Sequence, residues 1–493
     1  MASKDYEGLQ RDRKLSVLST TFHALDTKLR KTLDSIDSSV PKWQWPQSAL
    51  AEVKEIGLRA EIEHGFIRRT LDELLAWPDE RSADPTLFYN GNYDTFTRAE
   101  NWFSTMGFAK YQTMYTFTDT WDRIPISATF LVPESIQAGA KAPIVWFFHG
   151  GGLCTGANDH IPWYSQTTLE FARKHQAIII APDYPLGPEG RYVDICSAVR
   201  DFLRWYKEDG YFKRNDSDAD MHWTGWLLAE IGLKDVEIDT GTVYVEGESA
   251  GAAVAVTALW ENAHKLTGTN LPIKAALLRY PMIKHYKRDF PPNDAPLVYM
   301  GKEITHAQVE KQAGAVHDEI MKLEGAGMLP MRMKGYAPEY MAAAFLLSTT
   351  KMWQPLFKRP FADLGHFDHG PPTKDVCDSL ERADLLSEHV HHDSLPPILM
   401  YHGYDDENCP LRNTMKFRDM LVQRYPSRYV DGQTVLLWEV TELNGRRVLN
   451  DRSEIERLHS EQVGHGFDYD LEMEREPFLK EVYGQIQHFW LGK

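Results

Sequence analysis

The sequence contains little cysteine, and its cysteines form no metal-binding or disulfide pattern. The chain of 493 residues has four of them, at Cys154, Cys196, Cys377 and Cys409. Small secreted domains stabilised by disulfides carry many closely spaced cysteines, so this scarcity argues against that class and predicts a reduced, intracellular setting.

Long apolar runs are also lacking. No stretch reaches the roughly 18 consecutive apolar residues that a membrane-spanning helix needs. The first residues, MASKDYEGLQRDRK, are charged where a secretory signal requires an apolar segment. We therefore expect a cytoplasmic protein without a membrane span.

Positive charge is in deficit as well. The chain has 54 Lys and Arg against 71 Asp and Glu, which gives a net charge of −17 at pH 7. Nucleic acids and anionic membranes attract basic surfaces, so this balance argues against both as partners. Apolar residues make up 43% of the chain, enough for a large core. The expected partner is a small-molecule substrate, and a homo-oligomer stays open.

The chain divides into four segments by pattern. Residues 1–110 carry apolar positions at spacings of three and four, which predicts an N-terminal helical cap; a dimerising coiled coil is the less favoured alternative, because few heptads are present. Residues 111–284 and 373–493 alternate short apolar runs with helical stretches, as in a mostly parallel sheet covered by helices. Residues 285–372 interrupt this core, and we expect an inserted helical lid. The expected strands are 111–117 and 124–132, paired as a hairpin, and then 144–148, 177–181, 242–245, 273–278, 398–401 and 435–440.

Methionine is concentrated in the expected lid. Seven of the 16 methionines lie between residues 300 and 352, at Met300, Met321, Met328, Met331, Met333, Met341 and Met352. Because methionine is unbranched and polarisable, such a cluster adapts to bulky apolar ligands. The methionines can therefore line the substrate entrance or only pack the lid on the core, and the sequence favours neither.

The strongest chemical signal is the pentapeptide Gly247-Glu248-Ser249-Ala250-Gly251, which follows an apolar run and precedes small helical residues. A serine at such a strand-to-helix turn has a strained backbone, and its neighbours two positions away must be small because they approach the strand and helix closely. The helix also directs its positive end at the serine. We therefore predict that Ser249 is a nucleophile; the alternative is an ordinary serine in a glycine turn.

Three further motifs supply what a serine nucleophile needs. The glycines of His149-Gly150-Gly151-Gly152 follow the run at 144–148, so their amides, with that of Ala250, can bind an oxyanion. An orienting acid and a base are expected after the serine, in that order. Clustered acids at 405–407 follow the run at 398–401, and His465 stands between glycines after the run at 435–440.

With these motifs the chain resembles the hormone-sensitive-lipase-like branch of the α/β-hydrolases, which includes bacterial esterases and arylacetamide deacetylase. Besides the glycine run and the serine pentapeptide, the resemblance rests on Asp183-Tyr184-Pro185-Leu186-Gly187-Pro188-Glu189 and His465-Gly466-Phe467, and it covers about 111–284 and 395–493. It implies an α/β-hydrolase fold with serine carboxylic ester hydrolysis as its activity. The chain departs from the family in its large cap and lid and at Pro185 and Gly187. These departures affect the identity of the substrate and not that of the triad.

The resemblance also implies individual roles. Ser249 matches the family nucleophile and His465 its base. The family pattern Gly-x-x-Asp-x-x-Val-Pro matches Gly403, Asp406 and Pro410, which selects Asp406 over Asp405 and completes a catalytic triad. Gly151, Gly152 and Ala250 match the usual oxyanion hole, and Glu189 matches a structural acid near the serine loop. No cofactor is implied.

Other functions stay open beside ester hydrolysis. The same triad can act on a thioester or a lactone, transfer an acyl group under a lid that excludes water, or serve a cyclase of a biosynthetic pathway. A non-catalytic binding function, as in the gibberellin receptors of this family, is less favoured. Those receptors lack the catalytic histidine, which is present here as His465. The additions resemble those of fungal natural-product tailoring enzymes, which implies secondary metabolism and a bulky apolar substrate.

Three remaining signals are interpreted as structural. The stretch His389-x-His391-His392-Asp393 could bind a metal, but adjacent histidines do not easily point at one ion, so a solvated loop is favoured and no metal is expected; the same holds for His366 and His369. Cys154 beside the glycine run is interpreted as a buried small apolar residue.

Overall fold

A computed structural model describes residues 101–118, 124–137, 139–208, 236–283, 297–299, 302–305, 307, 331–335, 383, 387–406, 408–444 and 463–492. All of these belong to one compact unit, Pro85–Lys493. The predicted cap, apart from residues 101–110, lies outside the described residues, and so does most of the predicted lid.

Eight strands form one mixed sheet, with the order β1-β2-β4-β3-β5-β6-β9-β10. The antiparallel part consists of β1 (Phe108–Phe117) and β2 (Pro125–Pro133), with β2 also antiparallel to β4. The parallel part consists of β3 (Lys141–Phe148), β4 (Ile178–Pro182), β5 (Glu237–Glu248), β6 (Ile273–Arg279), β9 (Ile398–Gly403) and β10 (Val435–Val440). The predicted hairpin and the mostly parallel sheet are confirmed.

Helices cover both faces of this sheet. They are α1 (Trp102–Thr105), α2 (Gln166–Lys174), α3 (Tyr192–Glu208), α4 (Ala250–Ala263), α5 (Leu411–Arg424) and α6 (Pro477–Leu491). None of the described helices combines the length and the apolar character that crossing a membrane requires.

The side chains of β3 alternate between two apolar clusters, which shows why helices cover both faces of the sheet. Its Trp146 belongs to an apolar cluster with residues of α3, α4 and α5, whereas the adjacent Phe147 belongs to a second cluster with residues of α2 and α6. Successive side chains of a strand point to opposite faces, so a continuous apolar run requires helices on each side.

The described pieces of the predicted lid are short. Two strands, β7 (Leu297–Tyr299) and β8 (Lys302–Ile304), form a separate antiparallel pair in a segment that we expected to be helical. Residues 331–335 bridge to the core through Arg332 and Gly335. Of the seven methionines of the predicted lid, five lie outside the described residues: Met300, Met321, Met328, Met341 and Met352.

Candidate active site

The serine pentapeptide forms the turn between β5 and α4. Ser249 has φ +51° and ψ −120°, a conformation that costs an L-residue about 1–3 kcal/mol and persists only where the surroundings enforce it. Two backbone hydrogen bonds hold the turn: the Ser249 amide donates to the Arg279 carbonyl at 2.9 Å, and the Met282 amide donates to the Ser249 carbonyl at 2.9 Å. Ser249 therefore lies at the N-terminus of α4, as predicted for a nucleophile elbow.

The flanking glycines are required by close backbone contacts. A Cβ atom at Gly247 would lie 2.4 Å from the Gly251 carbonyl oxygen, and one at Gly251 would lie 2.1 Å from the Phe148 carbonyl oxygen. Neither distance is compatible with a side chain. The strand, the turn and the helix can pack this tightly only with glycine at both positions.

The three residues predicted as a triad lie in one hydrogen-bonded chain. Nε2 of His465 is 2.9 Å from Oγ of Ser249, and Nδ1 of His465 is 2.8 Å from Oδ2 of Asp406. An ionised carboxylate only accepts hydrogen bonds, so Nδ1 carries the proton and Nε2 is left to accept from the serine hydroxyl. This is the arrangement in which an imidazole can remove a proton from serine.

Asp406, and not its neighbour Asp405, is the carboxylate that contacts His465. Oδ1 of Asp406 accepts the amides of Asn408 and Cys409, both at 2.8 Å, whereas Oδ2 of Asp405 accepts the Val463 amide at 3.2 Å. Burial by itself would raise the pKa of Asp406, but His465 and a hydrogen bond from His402 outweigh it and hold this pKa well below its usual value. Asp406 is therefore ionised at neutral pH.

His402 is a site residue to which the sequence analysis gave no role. It is fully buried at the end of β9, with Nε2 2.6 Å from the Cys409 carbonyl oxygen and 3.0 Å from Oδ2 of Asp406. Its Nδ1 is 2.8 Å from the Thr414 hydroxyl. His402 thus contacts the same Asp406 oxygen as His465 and helps to fix this carboxylate. The available sequence signal was a histidine at a strand end four residues before the acid.

The glycine run packs directly on the serine turn. Gly151 and Gly152 have φ +97° and +60°, and a Cβ atom at Gly150 would lie 3.3 Å from the Cβ of Ser249. The Gly150 amide donates to Oε1 of Glu248 at 3.2 Å. Gly151 and Gly152 therefore lie on the loop beside the serine, next to the start of α4 at Ala250, and these three stay the candidates for oxyanion binding.

A buried cluster of charges lies behind the serine. The Arg279 guanidinium is 3.2 Å from Glu246, 3.4 Å from Glu248 and 2.7 Å from Asp468, and all four side chains are at most 1% exposed. The cluster connects the end of β6, the serine turn and the loop that carries His465. It was not predicted, because charged residues within strands of a sequence do not reveal which of them face each other.

Three carboxyl groups face one guanidinium in this cluster, so Arg279 alone does not balance their charges. Burial raises the pKa of Glu248 to about 8; Arg279 opposes this shift and Asp468 adds to it. For Asp468 the burial effect is outweighed by Arg279, which lowers the pKa of this group. Glu248, the residue immediately before the serine, therefore retains its proton at neutral pH.

Two other residues singled out in the sequence, Glu189 and Cys154, have surroundings that fit a role in the fold. Glu189 forms an ion pair with Arg332 at 2.9 Å, on the segment 331–335. Cys154 is fully buried, and burial raises the pKa of its thiol well above the usual value. Within the described part of the chain, no three His, Cys, Asp or Glu side chains converge to hold a metal ion; His366 and His369 lie outside it.

Comparisons with known proteins agree with this architecture. A family model of the α/β-hydrolase fold matches residues 145–314. A fungal protein named "Probable carboxylesterase M8", from a Phoma species, is 31% identical over 134 residues, which is 27% of this chain and 37% of that protein. Arylacetamide deacetylase from Bos taurus is 23% identical over 172 residues, which is 35% of this chain and 37% of that protein.

Among solved structures, esterase B from Lactobacillus rhamnosis aligns with a TM-score of 0.41 and 12% identity, over 88% of this chain and 98% of that one. The chain spans 37% of the length of each of the two relatives described above. The matched family model includes the glycine run and the serine turn. Residues 145–314 thus match the α/β-hydrolase fold, and the chain is similar to carboxylesterases and to arylacetamide deacetylase.

Proposed function

We propose that the protein hydrolyses a carboxylic ester of a small molecule through an acyl-enzyme formed on Ser249. The observation that carries this proposal is the hydrogen-bonded chain from Ser249 to His465 and Asp406, with distances of 2.9 and 2.8 Å. The relatives named as a carboxylesterase and a deacetylase support the same reaction type.

In the acylation step, Nε2 of His465 removes the proton of Ser249, and the serine oxygen attacks the ester carbonyl carbon. The amides of Gly151, Gly152 and Ala250 stabilise the negative oxygen of the tetrahedral intermediate. The carbon–oxygen bond to the alcohol breaks, and the alcohol leaves with the proton held by His465. Water then repeats these steps on the acyl-enzyme and releases the acid.

Asp406 acts by holding the imidazole. Its ionised carboxylate accepts the Nδ1 proton, which fixes the tautomer that leaves Nε2 free and stabilises the imidazolium formed in each step. The low pKa of Asp406 supports this role, since the carboxylate stays charged while His465 gains and loses its proton.

The proposal extends to the substrate and to the additional segments. We propose a bulky apolar ester of a biosynthetic pathway as substrate, residues 1–110 as a cap and 285–372 as a lid, because a methionine-rich insertion accommodates such ligands. We place the reaction in the cytoplasm.

The decisive test is Ser249→Ala, compared with Ser104→Ala at an exposed position. Loss of a triad nucleophile reduces kcat by about 10⁶, so the first variant should neither hydrolyse p-nitrophenyl acetate nor react with a fluorophosphonate, whereas the second should do both. More than a few per cent of residual activity in Ser249→Ala would refute the assignment.

Product analysis separates the related reactions. Mass spectrometry of reactions containing an ester and an alcohol acceptor distinguishes hydrolysis, which gives a free acid, from acyl transfer, which gives a new ester. Thioesters and lactones offered in parallel test the remaining hydrolytic alternatives, and a wild-type protein that does not react with the fluorophosphonate would favour a cyclase or a non-catalytic binder.

A further inference from the structure

Residues 331–335 connect the insertion to two loops of the core, and we call this segment the strap. Gly335 forms an antiparallel bridge with Gly156, and Arg332 forms one with Leu186. The Gly335 amide donates to the Gly156 carbonyl at 2.9 Å, the Gly156 amide donates back, and the Leu186 amide donates to the Arg332 carbonyl at 2.7 Å. The strap therefore lies between the continuation of the glycine run and the loop at 183–189.

The Arg332 guanidinium joins these two loops. It donates to the Cys154 carbonyl at 2.8 Å and to the Gly187 carbonyl at 2.7 Å, and it pairs with Glu189 at 2.9 Å. The group is only 15% exposed, so its donors replace water as partners of both carbonyls. A planar fork of several donors suits this task, and a lysine cannot satisfy two carbonyls and a carboxylate in the same way.

The strap contacts fall on the turn that contains the candidate oxyanion glycines. The amides of Cys154 and Thr155 both donate to the Gly151 carbonyl at 3.0 Å. The Thr155 hydroxyl donates to the Gly335 carbonyl at 2.5 Å. A Cβ atom at Gly151 would lie 2.1 Å from the Thr155 carbonyl oxygen, so the conformation of Gly151 and the position of Thr155 depend on each other.

The strap also contacts the core through the side chains of Met333 and Lys334. Met333 is 7% exposed and belongs to the larger apolar cluster, and Lys334 lies 3.3 Å from Asp159 and 3.5 Å from the buried Asp183. The strap is therefore held independently of the glycine run, and it can serve as a fixed support for residues 154–156.

We propose that the strap positions the oxyanion loop, with Arg332 as the positioning residue. The strap thereby influences the reaction through the loop that it supports. The catalytic consequence rests on the proposed function, whereas the anchoring of residues 154–156 does not. Donors of an oxyanion hole act only at the correct distance, and a displacement of about 1 Å can reduce the rate by about 10².

The anchoring is tested by hydrogen–deuterium exchange in the full-length protein. The variants are Arg332→Gln, Arg332→Lys and the control Arg424→Gln, whose guanidinium also donates to a main-chain carbonyl but lies at the last turn of α5. We expect peptides covering 150–158 to exchange at least about tenfold faster in Arg332→Gln and unchanged in Arg424→Gln, since only the first variant loses hydrogen bonds to the Cys154 and Gly187 carbonyls. Equal exchange in both variants would overturn the proposal, whether or not the protein proves to be an esterase.

The catalytic consequence is tested by kinetics on a simple aryl ester and by inhibition with a trifluoromethyl ketone, whose serine adduct carries an oxyanion. Arg332→Gln should lower kcat by about tenfold or more, weaken the inhibitor by a similar factor and leave KM within about twofold. Arg332→Lys should recover part of both losses. If the exchange increases but kcat and inhibitor binding match those of Arg424→Gln, the positioning role is wrong; if wild type lacks esterase activity, only the proposed function fails and the exchange result still decides the anchoring.

Discussion

At the scale of single residues, Asp405 and Asp406 are adjacent carboxylates with different partners. Asp406 is buried between His465, His402 and two backbone amides, whereas Asp405 accepts the Val463 amide. Only the first can fix the tautomer of the proposed base.

Replacing these two residues therefore gives a matched pair of variants. We expect Asp406→Asn to lower kcat by about 10⁴, because the amide favours the wrong tautomer of His465, and Asp405→Asn to lower it less than tenfold. Steady-state kinetics on one aryl ester measures both. The reverse ranking would show that the orienting acid is misassigned.

The raised pKa of Glu248 predicts that alkaline pH changes the rate of ester hydrolysis. Burial raises its pKa to about 8; Arg279 and hydrogen bonds from Gly150 and Tyr469 oppose this rise, and Asp468 adds to it. Above this pH, Glu248 becomes negative while accepting the Gly150 amide, and the added charge opposes an oxyanion held by the same loop. We expect kcat/KM to fall as the pH rises through about 8 in wild type, and the fall to be absent in Glu248→Gln; an identical fall in that variant would contradict this origin.

At the scale of elements, the strands could be predicted from apolar runs because helices cover both faces of the parallel sheet. All eight expected runs overlap strands, but β5 extends from Glu237 to Glu248, well beyond the predicted 242–245. Its first residues are polar and pair with the start of β3 at Lys141, a contact that no local pattern reveals.

The site was predictable where its residues lie in a recognisable sequence motif, as Ser249, Asp406 and His465 do. The serine turn and its glycines carry a sequence signature, since the close contacts involve residues within one turn. The contacts of His402, Arg279 and Arg332 join segments that are distant along the chain. Nothing in their immediate sequence indicates these partners, so their roles required the structure.

The strap also distinguishes the two interpretations of the methionine-rich segment. Met333 is buried in the core cluster, so we expect Met333→Ala to destabilise the protein by about 2–5 kcal/mol through loss of packing. Urea denaturation measures the free energy of unfolding, and kcat/KM for an acetate and for a bulky ester should change by the same factor. A selective loss on the bulky ester, with unchanged stability, would instead indicate a substrate contact.

At the scale of the whole molecule, the chain has a net charge of −17, and a compact group of ionisable side chains lies inside its core. The buried cluster of Arg279 with its three carboxyl groups joins elements on both sides of the serine turn. Removing one member of such a cluster leaves an uncompensated buried charge, so its protonation affects the stability of the entire fold.

The dependence of stability on pH follows from the shifted groups. Histidines with lowered pKa values, His149 at about 3 and His160 at about 4, contribute stability that increases up to the unfolded pKa of about 6.5. Burial raises the pKa of Asp183 to about 6, so the decrease in stability that this group causes with rising pH is complete near the same pH. Above pH 6.5, Glu248 still differs in protonation between the folded and unfolded states.

The folded protein retains the Glu248 proton up to about pH 8, whereas the unfolded chain has lost it above about 4.5, so stability must decrease as the pH rises from 6.5 to 8.5. The expected decrease is about 2 kcal/mol, because roughly 1.5 pKa units separate pH 6.5 from the folded value and each unit corresponds to about 1.4 kcal/mol. Urea denaturation at both pH values should show this decrease in wild type and in the control Asp183→Asn, whose titration lies lower, but not in Glu248→Gln. If Glu248→Gln loses as much stability as wild type over this range, the buried proton resides on another group.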